Sequence, residues 1–241
     1  MFKYILSILL IALTPCSAKS ASIVDFYKPV IPKDKRESRL LLITGCARSG
    51  TMYTARFLQA NGLHVEHELD APDGTVSWIM AVDSPSKHWP CPWGPGPSGF
   101  RYKHIFHQVR DPLKSIASLS HEPKKAWDYI CAYAPEIKMD DPPLVRAAKC
   151  WYYWNLKAEK KAQWTYKVEE MPQVVDKMAR KLGVRLNPAL LNSVPKDTNS
   201  RQYHTTCTWE DLRQILEPAL YHKILKLAKH YGYDIDSAPR N

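Results

Sequence analysis

The chain has 241 residues, 45% of them hydrophobic and 24% charged, and a formal net charge of +10. That length can bury one substantial core, and those proportions exclude a disordered chain. A basic surface attracts anionic glycans, acidic peptides or a polyanionic nucleotide, but no basic block or nucleic-acid motif is present and the lysines are spread along helix-like stretches, so no nucleic-acid partner is expected.

At the N-terminus, Lys3 precedes an apolar stretch, Tyr4 to Leu13, followed by Pro15, Cys16, Ser17 and Ala18. This has the three parts of a secretory signal peptide over residues 1–18, cut near Ala18; an uncleaved anchor is the alternative, although a membrane span needs about 20 apolar residues. Residues 19–38 read as a polar, proline-containing stem, and 39–241 as one domain that enters the secretory pathway, reaching a Golgi lumen or being secreted. Removing the signal leaves Cys46, Cys91, Cys131, Cys150 and Cys207, an odd number, so at least one thiol stays unpaired. Cys46 is the one expected to stay free, and Cys91 the one suited to a disulfide. There is no C-x-x-C pair, and His88 with Cys91 is too little for a metal site.

Leu40-Leu41-Leu42-Ile43-Thr44 predicts a strand buried on both faces of a parallel sheet. Gly45-Cys46-Ala47-Arg48-Ser49-Gly50-Thr51 predicts a tight turn, and Met52 to Ala60 a helix. A strand, a small-residue turn and a helix N-terminus aim several backbone N–H groups and the positive end of the helix dipole at one spot. Ala47, Arg48, Ser49, Gly50, Thr51 and Met52 therefore form a candidate phosphate or sulfate site. A nucleotide-hydrolysing loop would carry Lys after its last glycine, but Thr51 follows Gly50 here and Arg48 is the only cation in the turn.

Next, Gly62 to Glu68 reads as a turn and a short alternating strand whose carboxyl end lies beside that of the first strand, where ligands of parallel sheets bind. Glu68 or His67 there could act as a general base; an exposed acidic strand end is the other reading. Asp73-Gly74 marks a turn, Ser77 to Val82 a short helix carrying Trp78 and Met80 inward, and Ser84 to Phe100 a proline-rich loop. Lys103 to Val109 predicts a second core strand that runs into Arg110-Asp111-Pro112, with Pro112 well placed in the first turn of a helix carrying Ser115 and Ser118. Arg110 and Ser118 form a second candidate anion grip, Ser115 could substitute for Ser118, and an Arg110–Asp111 salt link is the structural alternative.

Helices are predicted from Pro123 to Pro135 and from Pro142-Pro143 onward, the second with a stripe of Leu144, Ala147, Ala148, Trp151, Trp154, Asn155 and Ala158 that reads as core. A third strand spans Gln163 to Val168, a helix Pro172 to Leu182 capped by Gly183, and a polar loop Asn187 to Asn199. Thr208 is placed to cap a helix from Trp209 to Leu216 with Asp211 at its third position, and a last helix runs from Pro218 to Tyr231.

The G-x-x-R-S-G-T turn resembles the loop by which sulfotransferases hold the 5′ end of 3′-phosphoadenosine 5′-phosphosulfate. The pairing of Arg110 and Ser118, eight positions apart after a strand, resembles their 3′-phosphate grip. In tyrosylprotein-type members, and more loosely in other Golgi and bacterial ones, a glutamate one helix and one short strand later is the base. That position falls at or beside Glu68, with Glu66 and His67 as neighbours. The resemblance implies an α/β three-layer sandwich with a central parallel sheet, the P-loop-like sulfotransferase fold. It also implies sulfuryl transfer to a hydroxyl or amine of a glycan, protein tyrosine or small acceptor, with no metal. Arg201 would return to the 3′-phosphate from the late loop, although the family's Arg-Lys-Gly form is absent there. Two rival readings are a small-molecule or nucleotide kinase, for which the Lys and a Mg²⁺-holding carboxylate are missing, and a non-catalytic secreted anion- or glycan-binding protein on the same fold.

Overall fold

A computed structural model describes residues 36–82, 100–195, 198 and 206–235. The signal segment, nearly all of the stem, the proline-rich loop with Cys91, and Arg201 lie outside the described residues. The fold is mixed α/β, with five parallel strands in the order β2-β3-β1-β4-β5 and helices on both faces. The strands are β1 (Glu37–Gly45), β2 (Val65–His67), β3 (Gly74–Val76), β4 (Phe100–Val109) and β5 (Trp164–Lys167). The helices are α1 (Thr51–Ala60), α2 (Pro112–Leu119), α3 (Lys124–Tyr133), α4 (Pro143–Lys161), α5 (Met171–Leu182), α6 (Trp209–Ile215) and α7 (Pro218–His230).

Alternation along the strands divides the core in two. Leu41, Ile43, Val76, Phe106 and Tyr166 pack against α1 and α5. On the other face α2, α3, α4, α6 and α7 gather around the α4 stripe, where Ala147, Ala148, Trp151, Trp154 and Ala158 are all 0% exposed. The stripe read from the sequence is therefore core, as its 3.6-residue spacing requires.

Several expectations change. The first strand does not neighbour the second, because Gly74, read as part of a turn, forms β3 with Thr75 and Val76 between them, in register with Leu41, Leu42 and Ile43. Gly74 permits this: its φ is 132°, and a β-carbon there would sit 1.8 Å from the Leu41 carbonyl oxygen. Second, the polar loop after Asn187 contains a short 3₁₀ turn, Pro188–Ser193, capped by the Asn187 side chain on Ala189 N. Elsewhere β1 starts at Glu37, two residues inside the expected stem, and the Ser77–Val82 segment is a 3₁₀ turn, Ile79–Ala81, with Trp78 and Met80 buried.

The β4–β5 pairing covers only Phe106 to Val109 of β4. Just before it, the side-chain amide of Gln163 receives Ile105 N–H at 3.1 Å and donates to Lys103 O at 3.3 Å, while Gln163 N–H donates to Ile105 O at 2.8 Å.

Candidate active site

The turn between β1 and α1 lies at the carboxyl edge of the sheet, where sheet topology leaves a crevice. Gly50 precedes α1 with φ 87°, a left-handed conformation that costs glycine little and turns the chain sharply into the helix. The first N–H groups of α1 have no acceptor within the helix, and they face outward from this turn. Among the described residues Ser49 Oγ, on a side chain 1% exposed, has no hydrogen-bond partner. A phosphate or sulfate oxygen would satisfy both kinds of donor.

Both faces of the sheet hold the turn. On the α1 face, Gln108 donates from Nε2 to Ser49 O at 2.7 Å, and its Oε1 accepts from Thr54 Oγ1 at 2.5 Å and from Tyr166 OH at 2.7 Å. On the α4 face, Asn155 Oδ1 accepts from Cys46 N–H at 3.2 Å and bonds His107 Nε2 at 3.1 Å. Burial pushes the His107 imidazole down to about 4, so at neutral pH the ring is uncharged, with Nε2–H donating to Asn155. Cys46 Sγ lies 3.9 Å from Cys150 Sγ; both are free thiols.

The two candidate anion segments meet. Arg110 Nη1 donates to Arg48 O at 3.0 Å, and Arg48 Nε donates to Ser118 Oγ at 2.8 Å. Arg48, Arg110 and Ser118 thus belong to one constellation, joined by Glu122, whose Oε1 is 3.7 Å from Arg48 Nε. Ser115 is 1% exposed and points into the core, so Ser118 is the serine that reaches the turn. Asp111 does not neutralise this cluster as a simple salt link; its Oδ1 caps α2 by accepting Lys114 N–H at 2.9 Å.

His67 and Glu68 approach from the end of β2. Thr51 Oγ1 and His67 Nε2 share a hydrogen bond of 3.0 Å whose direction follows the ring tautomer, and His67 Nε2 is 3.6 Å from Glu68 Oε1. Burial, then the charges of Arg56 and Arg48, pushes the His67 imidazole down to about 4. Glu68 moves the other way. Burial raises its proton affinity and Glu122 adds to this, against a Trp78 Nε1–H donated to Oε1 at 2.7 Å and the charge of Arg48. Glu66, the remaining neighbour, is exposed on β2 and bonds Gln59 Nε2.

Among the described residues only two non-glycines have positive φ, Arg48 at 67° and Glu68 at 61°. Such backbone costs on the order of 1–3 kcal/mol and is retained where a side chain must be aimed. The sequence points to neither Gln108 nor Glu122 and marks Trp78 only as facing inward. A glutamine within an apolar strand and a glutamate in a turn carry no period or motif, and Asn155 was legible only as a member of the core stripe. Arg201 lies outside the described residues.

No protein family matches the chain, and no curated protein matches it. Among solved structures, the chain is similar to the crystal structure of mouse sulfotransferase SULT7A1 complexed with PAP, at 16% identity and a TM-score of 0.39 over 89% of this chain and 88% of that one.

Proposed function

We propose that the chain is a sulfotransferase that moves the sulfuryl group of 3′-phosphoadenosine 5′-phosphosulfate to a hydroxyl or amine. The observation that carries this reading is the convergence of the α1 N-terminus, Arg48, Arg110 and Ser118 with a half-buried carboxylate, Glu68, at one sheet edge. The turn N–H groups and Ser49 Oγ would hold the 5′ end of the donor, and Arg110 with Ser118 its 3′-phosphate. The acceptor oxygen or nitrogen forms its bond to sulfur as the bond from sulfur to the bridging phosphate oxygen breaks. The acceptor proton passes to Glu68, whose raised proton affinity suits that task, with His67 as the alternative base. Negative charge gathers on the departing phosphate, where Arg48 and the α1 N-terminus stabilise it. A glycan or a protein tyrosine in a Golgi-type lumen is the finer part of the proposal, resting on the apolar N-terminal stretch and the basic composition.

The test is a thermal-shift titration of the whole chain with adenosine 3′,5′-bisphosphate in the presence of a chelator. The bisphosphate should raise the melting temperature, by about 2.7 kcal/mol of added stability at a hundredfold excess over Kd. A shift seen only with ATP and Mg²⁺ would instead point to phosphoryl transfer. Glu68→Gln should keep the bisphosphate shift and lower labelled-sulfate transfer about 10²- to 10⁴-fold. An unchanged transfer rate would remove Glu68 from the base's place.

A further inference from the structure

Glu122 is a charged side chain at this site to which the proposed chemistry gives no role. It sits in the turn between α2 and α3, and its backbone is pinned at both ends: its N–H donates to Leu119 O at 2.9 Å, and its carbonyl accepts Trp127 Nε1–H at 3.0 Å. The side chain is 11% exposed, as is that of Arg48, and the two meet at 3.7 Å while Arg48 also holds Ser118. An arginine that is mostly withdrawn from water needs an anion beside it. Here the anion comes from the chain itself, on the guanidinium that the donor's phosphates would need. Its charge also reaches Glu68, whose proton affinity it raises.

Building on the sulfuryl-transfer reading, we propose that Glu122 is a built-in counter-anion for Arg48. It occupies the guanidinium in the nucleotide-free protein and yields when a phosphate arrives, and so sets how tightly donor and spent bisphosphate are held. Glu122 is then a positioning residue acting through Arg48. Two effects of opposite sign follow from removing its charge. The nucleotide-free protein loses stability because Arg48 keeps Ser118 but loses this counter-charge, and anion affinity rises because a like charge has gone from the site.

Calorimetric titration of the full chain, wild type beside Glu122→Gln and Glu122→Asp, tests this with three probes: adenosine 3′,5′-bisphosphate, inorganic pyrophosphate and uncharged adenosine. Glu122→Gln should bind both anions about 3- to 10-fold more tightly, leave adenosine binding unchanged, and melt at a lower temperature without ligand. Glu122→Asp keeps the charge and should bind as the wild type does. Equal or weaker anion binding by Glu122→Gln overturns the proposal, as does an Asp variant that binds as tightly as the Gln one. A wild-type chain that ignores the bisphosphate but binds pyrophosphate sinks the sulfuryl-transfer reading alone, and the Gln-to-wild-type ratio for pyrophosphate still decides the counter-anion. Anion binding by the Gln variant only supports the proposal, and binding by none of the proteins overturns it.

Discussion

His107 and Gln108 are consecutive residues of β4, both 0% exposed, and they grip the same turn from opposite faces of the sheet. The Gln108 grip is direct, and both polar atoms of its amide are bonded. One amide gives a hydrogen bond to Ser49 O and receives two hydroxyls, from Thr54 on α1 and Tyr166 on β5. The His107 grip is indirect and incomplete. It reaches Cys46 N–H only through Asn155, whose Nδ2 has no partner among the described residues, as is true of the nearby buried Thr44 Oγ1 and Ser77 Oγ. A filled network fixes geometry, and one with spare donors leaves room for adjustment. The α1 side therefore sets the shape of the turn, and the α4 side lets it give.

Gln108→Ala should be the most damaging change. It opens a cavity and strands two buried hydroxyls and a carbonyl, at about 3–5 kcal/mol in chemical denaturation, with loss of the bisphosphate thermal shift. A variant that still binds the bisphosphate at wild-type affinity would show that the turn keeps its shape without this amide. The pH dependence comes next. His107 and His67 each have a folded value of about 4 against the usual 6.5, so the unfolded chain binds protons more readily. Stability should be complete above pH 6.5 and fall as pH drops toward 4, by at most about 3 kcal/mol per imidazole. Glu68, shifted upward, gains stability on protonation and offsets part of that loss. His107→Gln, which can still donate to Asn155, should remove one proton from the slope; an unchanged slope would mean that His107 is charged in the fold.

Asn155→Ala should cost about 1–3 kcal/mol and weaken, without abolishing, bisphosphate binding. If it matches Gln108→Ala in both respects, the contrast between the two faces fails. The smallest effect is a control. Thr208 and Asp211 form a reciprocal capping box on α6, so Thr208→Ala should cost about 1 kcal/mol and leave nucleotide affinity untouched.

What the sequence disclosed follows from how local each signal is. The apolar run into Gly45, the Pro112 that opens α2 and the stripe on α4 each announce themselves within one window of residues, and each lies where its pattern predicts. The strand β3 did not, because three residues beginning with glycine have neither a period nor a length to read. Its existence depends on how closely Gly74 can approach Leu41. At the site, Arg48, Arg110 and Ser118 were legible from motif spacing, and their mutual bonding is a product of the fold. Gln108 and Glu122 act through partners 59 and 74 positions away in the chain, a separation that no short pattern encodes.

The side-chain amide of Gln163 has a consequence for the outer flank of β4. Beyond the four residues paired with β5, β4 would present bare peptide groups to any passing polypeptide, a template for unwanted strand addition. That amide imitates a peptide unit, taking one N–H and giving one to a carbonyl, so the stretch from Lys103 to Ile105 is already zipped shut. One glutamine thus stands in for a missing strand along these three residues of β4.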